Sequence, residues 1–260
     1  MKTIVFDLGQ TLAVSKEAID NEMVVLIGKL LITNNVAIIS GASWKQVSKQ
    51  INDLLTIDSK ALNNLYILPF SGGSMYQSWS KYGWVAAYQN KFTSQDIDRI
   101  NIAFSEALSE SGFIHPQKLW GKQLESCESK VTFSALGHRV PLEVKDKWDV
   151  DGRKRKVIVD ILRRKLSGYE VCVAGMNSID VSPKGINKKY GIDELMKKLR
   201  SSKDDVTYVG DAIFKGGSDY AAIEMGLAYV QVQNPENTKD FIRKILDSSL
   251  KVKYVNGLEN

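Results

Sequence analysis

The stretch Lys2-Thr3-Ile4-Val5-Phe6-Asp7-Leu8-Gly9-Gln10-Thr11-Leu12 decides the fold. Its apolar run ends at Asp7 and leads into Gly9, a pattern typical of a buried strand that is followed by a loop. Open parallel sheets bind their ligands at the carboxyl ends of their strands. The stretch therefore predicts a strand that carries a carboxylate to a ligand-binding edge, although an aspartate after a strand is also an ordinary turn residue.

The pattern of apolar strands and amphipathic helices that starts here returns near the end of the chain. Buried strands are predicted at 36–39 and 65–70, and again at 206–209 and 229–232, with helices between them. Such alternation is typical of a parallel sheet with helices on both faces. The two ends are therefore expected to share one Rossmann-like α/β core.

The middle of the chain breaks this alternation. Aromatic, alternating segments at 75–79 and 83–88, joined by 80–82, predict an antiparallel hairpin. The next predicted elements are a helix capped by Ser94 and ending near Ser111, a strand at 131–136, a helix at 151–166 and a strand at 169–173. We therefore expect a core of residues 1–73 and 181–260, with an α+β domain of residues 74–180 inserted into it.

Composition narrows the class of protein. The chain has 260 residues, of which 43% are hydrophobic and 25% charged, enough for a core and an inserted module. Its longest apolar stretches, 23–27 and 65–68, are far shorter than the roughly 20 residues that cross a bilayer, so we expect no membrane span and no signal peptide. Cys127 and Cys172 lack CxxC spacing, which favours a reducing, cytoplasmic setting without a disulfide scaffold or thiolate metal site.

The formal charge of +5 raises the question of nucleic-acid binding. Basic residues are concentrated at 153–156 and 163–165, within a predicted helix. The helix has an apolar face, so the basic residues are expected on its exposed side. This face is formed by Val157, Ile158, Ile161 and Leu162. We therefore expect no nucleic-acid partner.

Further carboxylates lie near the other end of the chain. Asp211 closes the predicted strand at 206–209, and the loop 214–219 ends in Asp219 at the start of a predicted helix. Parallel strands would bring both residues to the edge that carries Asp7. Crowded carboxylates repel unless a cation lies among them, and oxygen ligands without Cys or His favour magnesium. The alternative is that Asp211 and Asp219 only cap a loop and a helix.

Groups that favour a phosphate are expected at the same edge. Ser40 and Gly41 follow the second predicted strand, where a hydroxyl and backbone amides can bind an anion. Lys184 and Lys188 flank Gly185 at the entry to a predicted helix, and helix amino ends and ammonium groups both attract phosphate. Each of these features alone is also typical of a surface lysine or a helix cap.

Taken in order, these segments resemble the four motifs of the haloacid dehalogenase (HAD) superfamily. The matching segments are Phe6-Asp7-Leu8-Gly9-Gln10-Thr11-Leu12, Ile38-Ile39-Ser40-Gly41, Lys188, and Gly210-Asp211 with Asp219. An insertion between the second motif and the lysine is similar to subclass IIB. Ser178-Ile179-Asp180-Val181 and Gly216-Gly217-Ser218-Asp219 resemble eukaryotic-type phosphomannomutases and their phosphatase relatives in particular.

The resemblance implies a role for each motif. Asp7 would attack a phosphoryl group, and magnesium would be bound by Asp7, the Gly9 carbonyl and Asp211, with Asp219 orienting Lys188 or the waters of the metal. Ser40 and Gly41 would hold the phosphoryl oxygens together with Lys188, which would also balance the charge of Asp7. In the inserted domain the implied substrate residues are Ser178 and Asp180, for sugar hydroxyls, and Lys130, His138 and Arg139, for charge.

One position departs from the superfamily pattern. Members usually carry a second aspartate two residues after the nucleophile, where this chain has Gly9. Glycine transfers no proton, and loss of a general acid/base typically lowers the rate by about 10² to 10⁴. We therefore expect a magnesium-dependent phosphosugar phosphatase of impaired or specialised activity. The alternatives are a sugar phosphate mutase and an inactive protein that binds a phosphorylated ligand; the identity of the sugar and a homodimer stay open.

Overall fold

The computed structural model describes residues 1–14, 16–78, 83–215 and 217–256, with side chains up to residue 248. The predicted hairpin turn at 80–82 and Gly216 of the predicted loop lie outside these residues. The chain divides into two compact units. The core unit comprises Met1–Tyr88 and Asn187–Asn260, and the inserted unit comprises Gln89–Ile186.

A seven-stranded sheet forms the centre of the core unit. Across the sheet the strands are β11 (Ala228–Gln231), β10 (Val206–Gly210), β1 (Thr3–Asp7), β2 (Asn35–Ile39), β3 (Leu65–Leu68), β4 (Ser74–Ser78) and β5 (Trp84–Gln89). The strands from β11 to β3 run parallel, and Thr3 of β1 pairs with Val206 on one side and Asn35 on the other. The prediction that both ends of the chain share one parallel sheet is therefore confirmed.

Helices cover both faces of this sheet. They are α1 (Asn21–Leu30), α2 (Trp44–Gln50), α3 (Ser59–Leu62), α7 (Lys188–Leu199), α8 (Ala221–Glu224) and α9 (Pro235–Asn256). Alternate residues of β1 enter opposite apolar layers, because successive side chains of a strand point to opposite faces. Phe6 packs in the layer that contains Met23 of α1, and Val5 packs in the layer that contains Ile192 of α7. Ser43 caps α2, which ends at Gln50 and is followed by a 3-10 segment.

The inserted unit is a second, antiparallel sheet with helices on one face. Its strands lie in the order β6 (Leu124–Cys127), β7 (Lys130–Ser134), β9 (Ser178–Pro183) and β8 (Tyr169–Ala174). Its helices are α4 (Ser94–Glu110), α5 (Leu142–Trp148) and α6 (Arg153–Lys165). Phe104, Phe133 and Ile158 belong to its apolar core, so alternate residues of the strands face away from the helices.

The boundaries between the units differ from the predicted 73/74 and 180/181. Strand β4 pairs with β3 through Tyr66 and Gln77, so the hairpin extends the core sheet instead of starting the insertion. The ring of Tyr76 stacks on Trp44 with 3.8 Å between centroids. Strand β9, which pairs with both β7 and β8, keeps residues up to 183 in the inserted unit. Alternation along a strand predicts its buried face but not the sheet that it joins.

The predicted cap of the first helix in the inserted unit was wrong, whereas the predicted exposed basic side of α6 is confirmed for its basic residues except Arg155. Thr93, not Ser94, caps α4, and it forms a capping box with Asp96. Arg155 of the basic helix is buried, with its Nε 2.7 Å from Oδ2 of buried Asp149, whereas Val157 is half exposed. A buried guanidinium requires such a partner, and the Asp149 carboxylate also accepts the backbone N–H groups of Lys154 and Arg155. In the described part of the chain, no helix is both long and apolar enough to span a membrane.

Candidate active site

The candidate site lies at the carboxyl edge of the core sheet. Asp7 ends β1, and its register partner Ile39 places Ser40 just beyond the neighbouring strand. Strand β10 lies on the other side of β1 and leads directly into Asp211. Three adjacent parallel strands thus deliver the residues of three predicted motifs to one edge, as the sequence predicts.

A buried lysine connects this edge to helix α7. Lys188 is the first residue of α7, and its Nζ lies 2.5 Å from Asp7 Oδ1, 2.5 Å from Asp219 Oδ1 and 3.2 Å from the hydroxyl of Tyr208. An ammonium group has three protons, and here each of them has an acceptor in the protein. Lys188 therefore balances the charge of Asp7 but has no proton left for a phosphate in this arrangement. Its predicted role in charge balance agrees with this geometry better than its predicted role in phosphate binding.

Asp219 is the buried support of that lysine. Its Oδ1 also accepts the Tyr208 hydroxyl at 2.6 Å, and its Oδ2 accepts the backbone N–H of Ala212 at 3.0 Å. A Cβ on Gly210 would lie 2.5 Å from Oδ2, so glycine leaves the space that the carboxylate fills. The sequence did not single out Tyr208, which shares the otherwise apolar strand β10 with a second hydroxyl-bearing residue, Thr207. These contacts favour Asp219 as the residue that orients Lys188.

The charges of the site shift one another's ionisation. Burial raises the pKa of Asp7 to about 6 against the opposing charge of Lys188, and the charge of Asp219 adds to the rise. Burial and Asp219 also raise the pKa of Asp211. Burial opposes ionisation of Asp219 as well, but Lys188 and the hydrogen bonds hold the pKa of Asp219 below its ordinary value. Three carboxylates and one ammonium group leave an excess of negative charge at the site.

This excess fits a divalent cation. Carboxylate oxygens of Asp7, Asp211 and Asp219 lie within 4.8 Å of one another. Hard oxygen donors are the ligands that magnesium prefers, and a nearby cation would lower the raised pKa values of Asp7 and Asp211. Since Asp219 already accepts three hydrogen bonds, Asp7 and Asp211 are the more available ligands.

The positions after Asp7 have an open, strained backbone. A Cβ added at Gly9 would meet no atom within 4 Å, so the site has room for a side chain there. Exposed Gln10 adopts a left-handed conformation with a φ of 58°, which is unusual for a residue other than glycine. Thr11 is buried and its hydroxyl donates to Asp211 at 3.4 Å. The missing carboxylate at position 9 thus leaves an unfilled space beside the nucleophile candidate.

The loop after β2, which begins with Ser40 and Gly41 and is called the anion loop below, has a hydroxyl proton available for donation. Ser40 is buried, and its Oγ accepts the backbone N–H of Ala42 at 3.2 Å. This bond uses a lone pair of the oxygen and leaves the hydroxyl proton available for donation. Gly41 next to it is exposed. Lys184, which was predicted beside Lys188, belongs to the inserted unit and donates to the carbonyl of Ser167.

In the inserted unit, three predicted substrate residues share the polar face of the sheet. Asp180 accepts the hydroxyl of Thr132 at 2.7 Å and the ammonium group of Lys130 at 3.0 Å. Ser178 lies two residues earlier in the same strand, and its hydroxyl is 3.1 Å from that of Ser134. These contacts give the face a set of hydroxyl and charged groups.

His138 and Arg139 lie in the turn after β7. The Nε of Arg139 donates to Nε2 of His138 at 3.1 Å, and Nδ1 of His138 is 3.2 Å from the carbonyl oxygen of Lys122. Arg139 is exposed and His138 is half buried. Both residues form one polar group, and their predicted role in substrate binding stays a prediction.

Comparison with known proteins assigns the family. The sequence profile described as eukaryotic phosphomannomutase matches residues 23–248, most of the chain. The chain belongs to the eukaryotic phosphomannomutase family. It is 24% identical over 254 residues to phosphomannomutase of Schizosaccharomyces pombe, with 95% of each chain covered. It is 23% identical over 220 residues to human phosphomannomutase 1, covering 83% of this chain and 80% of that protein.

Solved structures place this phosphomannomutase-family chain in the HAD-like fold. A HAD-like hydrolase of Bacteroides thetaiotaomicron superposes with a TM-score of 0.61 at 15% identity, covering 94% of this chain and 99% of that one. Trehalose-6-phosphate phosphatase of Aspergillus fumigatus superposes with a TM-score of 0.60 at 14% identity, covering 94% of this chain and 92% of that one. IMP-nucleotidase of Plasmodium falciparum superposes with a TM-score of 0.65 at 19% identity, covering 95% of this chain and 68% of that one. At these identities the likeness concerns the fold alone, and it agrees with the predicted HAD-like core.

Proposed function

We propose that the protein is a magnesium-dependent phosphotransferase that hydrolyses a phosphorylated sugar through a phosphoryl group on Asp7. The observation that carries this proposal is the buried contact of Lys188 with Asp7 and Asp219 at the edge where Asp211 also lies. Membership in the eukaryotic phosphomannomutase family supports phosphoryl transfer as the reaction class. The relatives' names support a sugar phosphate as the substrate class.

The first step forms a covalent intermediate. A carboxylate oxygen of Asp7 attacks phosphorus, the bond between phosphorus and the ester oxygen breaks, and the departing alcohol takes a proton. Lys188 keeps Asp7 ionised despite its burial, which otherwise favours the protonated and unreactive acid. A magnesium ion held by Asp7, Asp211 and the Gly9 carbonyl would neutralise charge on the phosphoryl oxygens. Ser40 and Gly41 would donate to the same oxygens.

The second step returns the free enzyme. Water attacks phosphorus and the bond between phosphorus and the Asp7 oxygen breaks. Phosphate leaves, and the carboxylate of Asp7 is regenerated. Gly9 supplies no group to protonate the leaving alcohol or to deprotonate this water. The alcohol therefore takes its proton from solvent or from the substrate itself, and solvent takes the proton that the attacking water loses. Turnover of a poor leaving group such as a sugar alcohol is consequently slow.

Phosphate release tests the proposal. Sugar phosphates and an activated aryl phosphate are incubated with magnesium and either wild-type protein or Asp7→Asn. Release by the wild type that Asp7→Asn abolishes is expected, since asparagine retains the size of the side chain and loses the nucleophile. Equal release by both proteins would contradict the proposal.

The absence of a proton-transfer group at Gly9 favours a second candidate, a protein that binds a phosphorylated ligand without turnover. This role would produce ligand-dependent thermal stabilisation and no phosphate release. Steady turnover by purified protein would exclude it. Mutase activity ranks below both roles, because a mutase needs the missing acid/base as well as a second phosphate site.

A further inference from the structure

The turn after β3 holds three consecutive residues in a left-handed conformation. The φ angles are 51° at Phe70, 56° at Ser71 and 90° at Gly72. Glycine adopts such angles readily, whereas residues with a Cβ do so against steric resistance. Backbone strain of this kind persists only where neighbouring groups enforce it, and it concentrates at ligand sites.

Two hydrogen bonds tie the turn to the loop after β2. The backbone N–H of Phe70 donates to the carbonyl of Ala42 at 2.9 Å, and that of Ser71 donates to the carbonyl of Ser40 at 2.7 Å. The turn therefore lies directly against the loop that is proposed to hold phosphoryl oxygens.

The far end of the turn is packed against α7. A Cβ on Gly72 would lie 2.2 Å from the Cα of Gly191, so the two backbones touch at this point. The hydroxyl of Tyr88 also donates to the carbonyl of Gly72 at 2.6 Å. These contacts fix Ser71 between the loop after β2 and the helix that begins with Lys188.

The hydroxyl of Ser71 faces the anion loop without a partner of its own. Its Oγ lies 3.6 Å from the point that a Cβ on Gly41 would occupy, and the side chain is half buried. No described residue forms a hydrogen bond with this oxygen. Since the three protons of Lys188 are all taken within the protein, a phosphoryl group at this edge needs donors from elsewhere.

We propose that Ser71 is a further phosphoryl ligand, whose hydroxyl donates to the same group as Ser40 and Gly41. The inference rests on the proposed function and adds a third loop to its binding site. The enforced left-handed turn then has a physical role, because it holds one donor in place before the ligand arrives and reduces the ordering that binding requires.

The test compares fold stability and orthophosphate binding in the same variants. Ser71→Gly removes the hydroxyl and the strained Cβ together, so it is expected to raise the melting temperature by about 2 to 4 °C while it weakens orthophosphate binding about tenfold. Ser71→Asn tolerates the left-handed conformation and keeps a donor, so it should retain more affinity than glycine does. Arg200→Gly is the control, since Arg200 is also left-handed, with a φ of 50°, but lies at the opposite end of α7.

Titration calorimetry with orthophosphate in the presence of magnesium separates the outcomes. Weakened binding by Ser71→Gly, with wild-type affinity in Arg200→Gly, is the expected result. Wild-type affinity in Ser71→Gly would overturn this inference and leave the proposed function in place. A wild-type protein that binds no orthophosphate would overturn the proposed function, and this inference with it.

Discussion

Replacing Gly9 with aspartate is expected to increase the rate of sugar phosphate hydrolysis. A Cβ at position 9 would meet no atom within 4 Å, and the backbone there is not left-handed, so a residue with a β-carbon is tolerated at this position. Position 9 is two residues after Asp7 and half buried, which leaves the new carboxyl group in contact with solvent. A general acid/base contributes about 10² to 10⁴ in rate, so we expect a gain of at least about 10²-fold on a sugar phosphate.

The leaving group decides how much of this gain is visible. An activated aryl alcohol departs without a proton, so the first step should gain little from Gly9→Asp with an aryl phosphate. Release of the alcohol in the first turnover is therefore measured with both substrates, because phosphate release also depends on hydrolysis of the intermediate. The proteins compared are the wild type, Gly9→Asp and the matched control Gly9→Asn, which has nearly the same size but transfers no proton. An equal gain in Gly9→Asn, or no gain in Gly9→Asp despite an intact fold, would refute the reasoning.

Two further predictions concern stability. Tyr208→Phe removes a hydroxyl that hydrogen-bonds to both Asp219 and Lys188. This change should lower the free energy of unfolding, measured in urea, by about 1 to 2 kcal/mol. An unchanged urea midpoint would contradict the described contacts. Burial opposes ionisation of Asp149, but the hydrogen bonds from Arg155 and from backbone amides lower the pKa of this carboxyl group. The ionised Asp149 therefore stabilises the fold fully above its ordinary pKa of 3.8, and this stabilisation is lost as the pH falls through the lowered pKa. Asp149→Asn should therefore show a flatter loss of stability in acid than the wild type, and equal slopes would contradict this.

Much of the fold could be predicted because its central strands are buried on both faces. All five residues of β1 and of β2 are buried, and such strands produce continuous apolar runs that stand out in a sequence. The hairpin of β4 and β5 could be predicted as a hairpin but not assigned to the core sheet. Its position depends on contacts such as the stacking of Tyr76 on Trp44, which no local pattern encodes.

The candidate site, like the fold, could be predicted from the sequence only in part. Asp7, Asp211 and Asp219 could be predicted to meet, because the ends of parallel strands share an edge. The sequence does not predict that all three protons of the Lys188 ammonium group have acceptors. These acceptors come from separate segments, and one of them is the hydroxyl of Tyr208. Sequence spacing thus predicts which residues meet at the edge, whereas the number of free donors left there depends on three-dimensional packing.

The covalent state of Asp7 tests the central claim most directly. With an activated aryl phosphate and magnesium, formation of the intermediate needs no acid, whereas its hydrolysis lacks the base that Gly9 cannot supply. A rapid burst of about one equivalent of aryl alcohol is therefore expected, and mass spectrometry after an acid quench should find one phosphoryl group on the peptide that contains Asp7 and none in Asp7→Asn. Turnover without modification of that peptide, or a modification that persists in Asp7→Asn, would contradict the account.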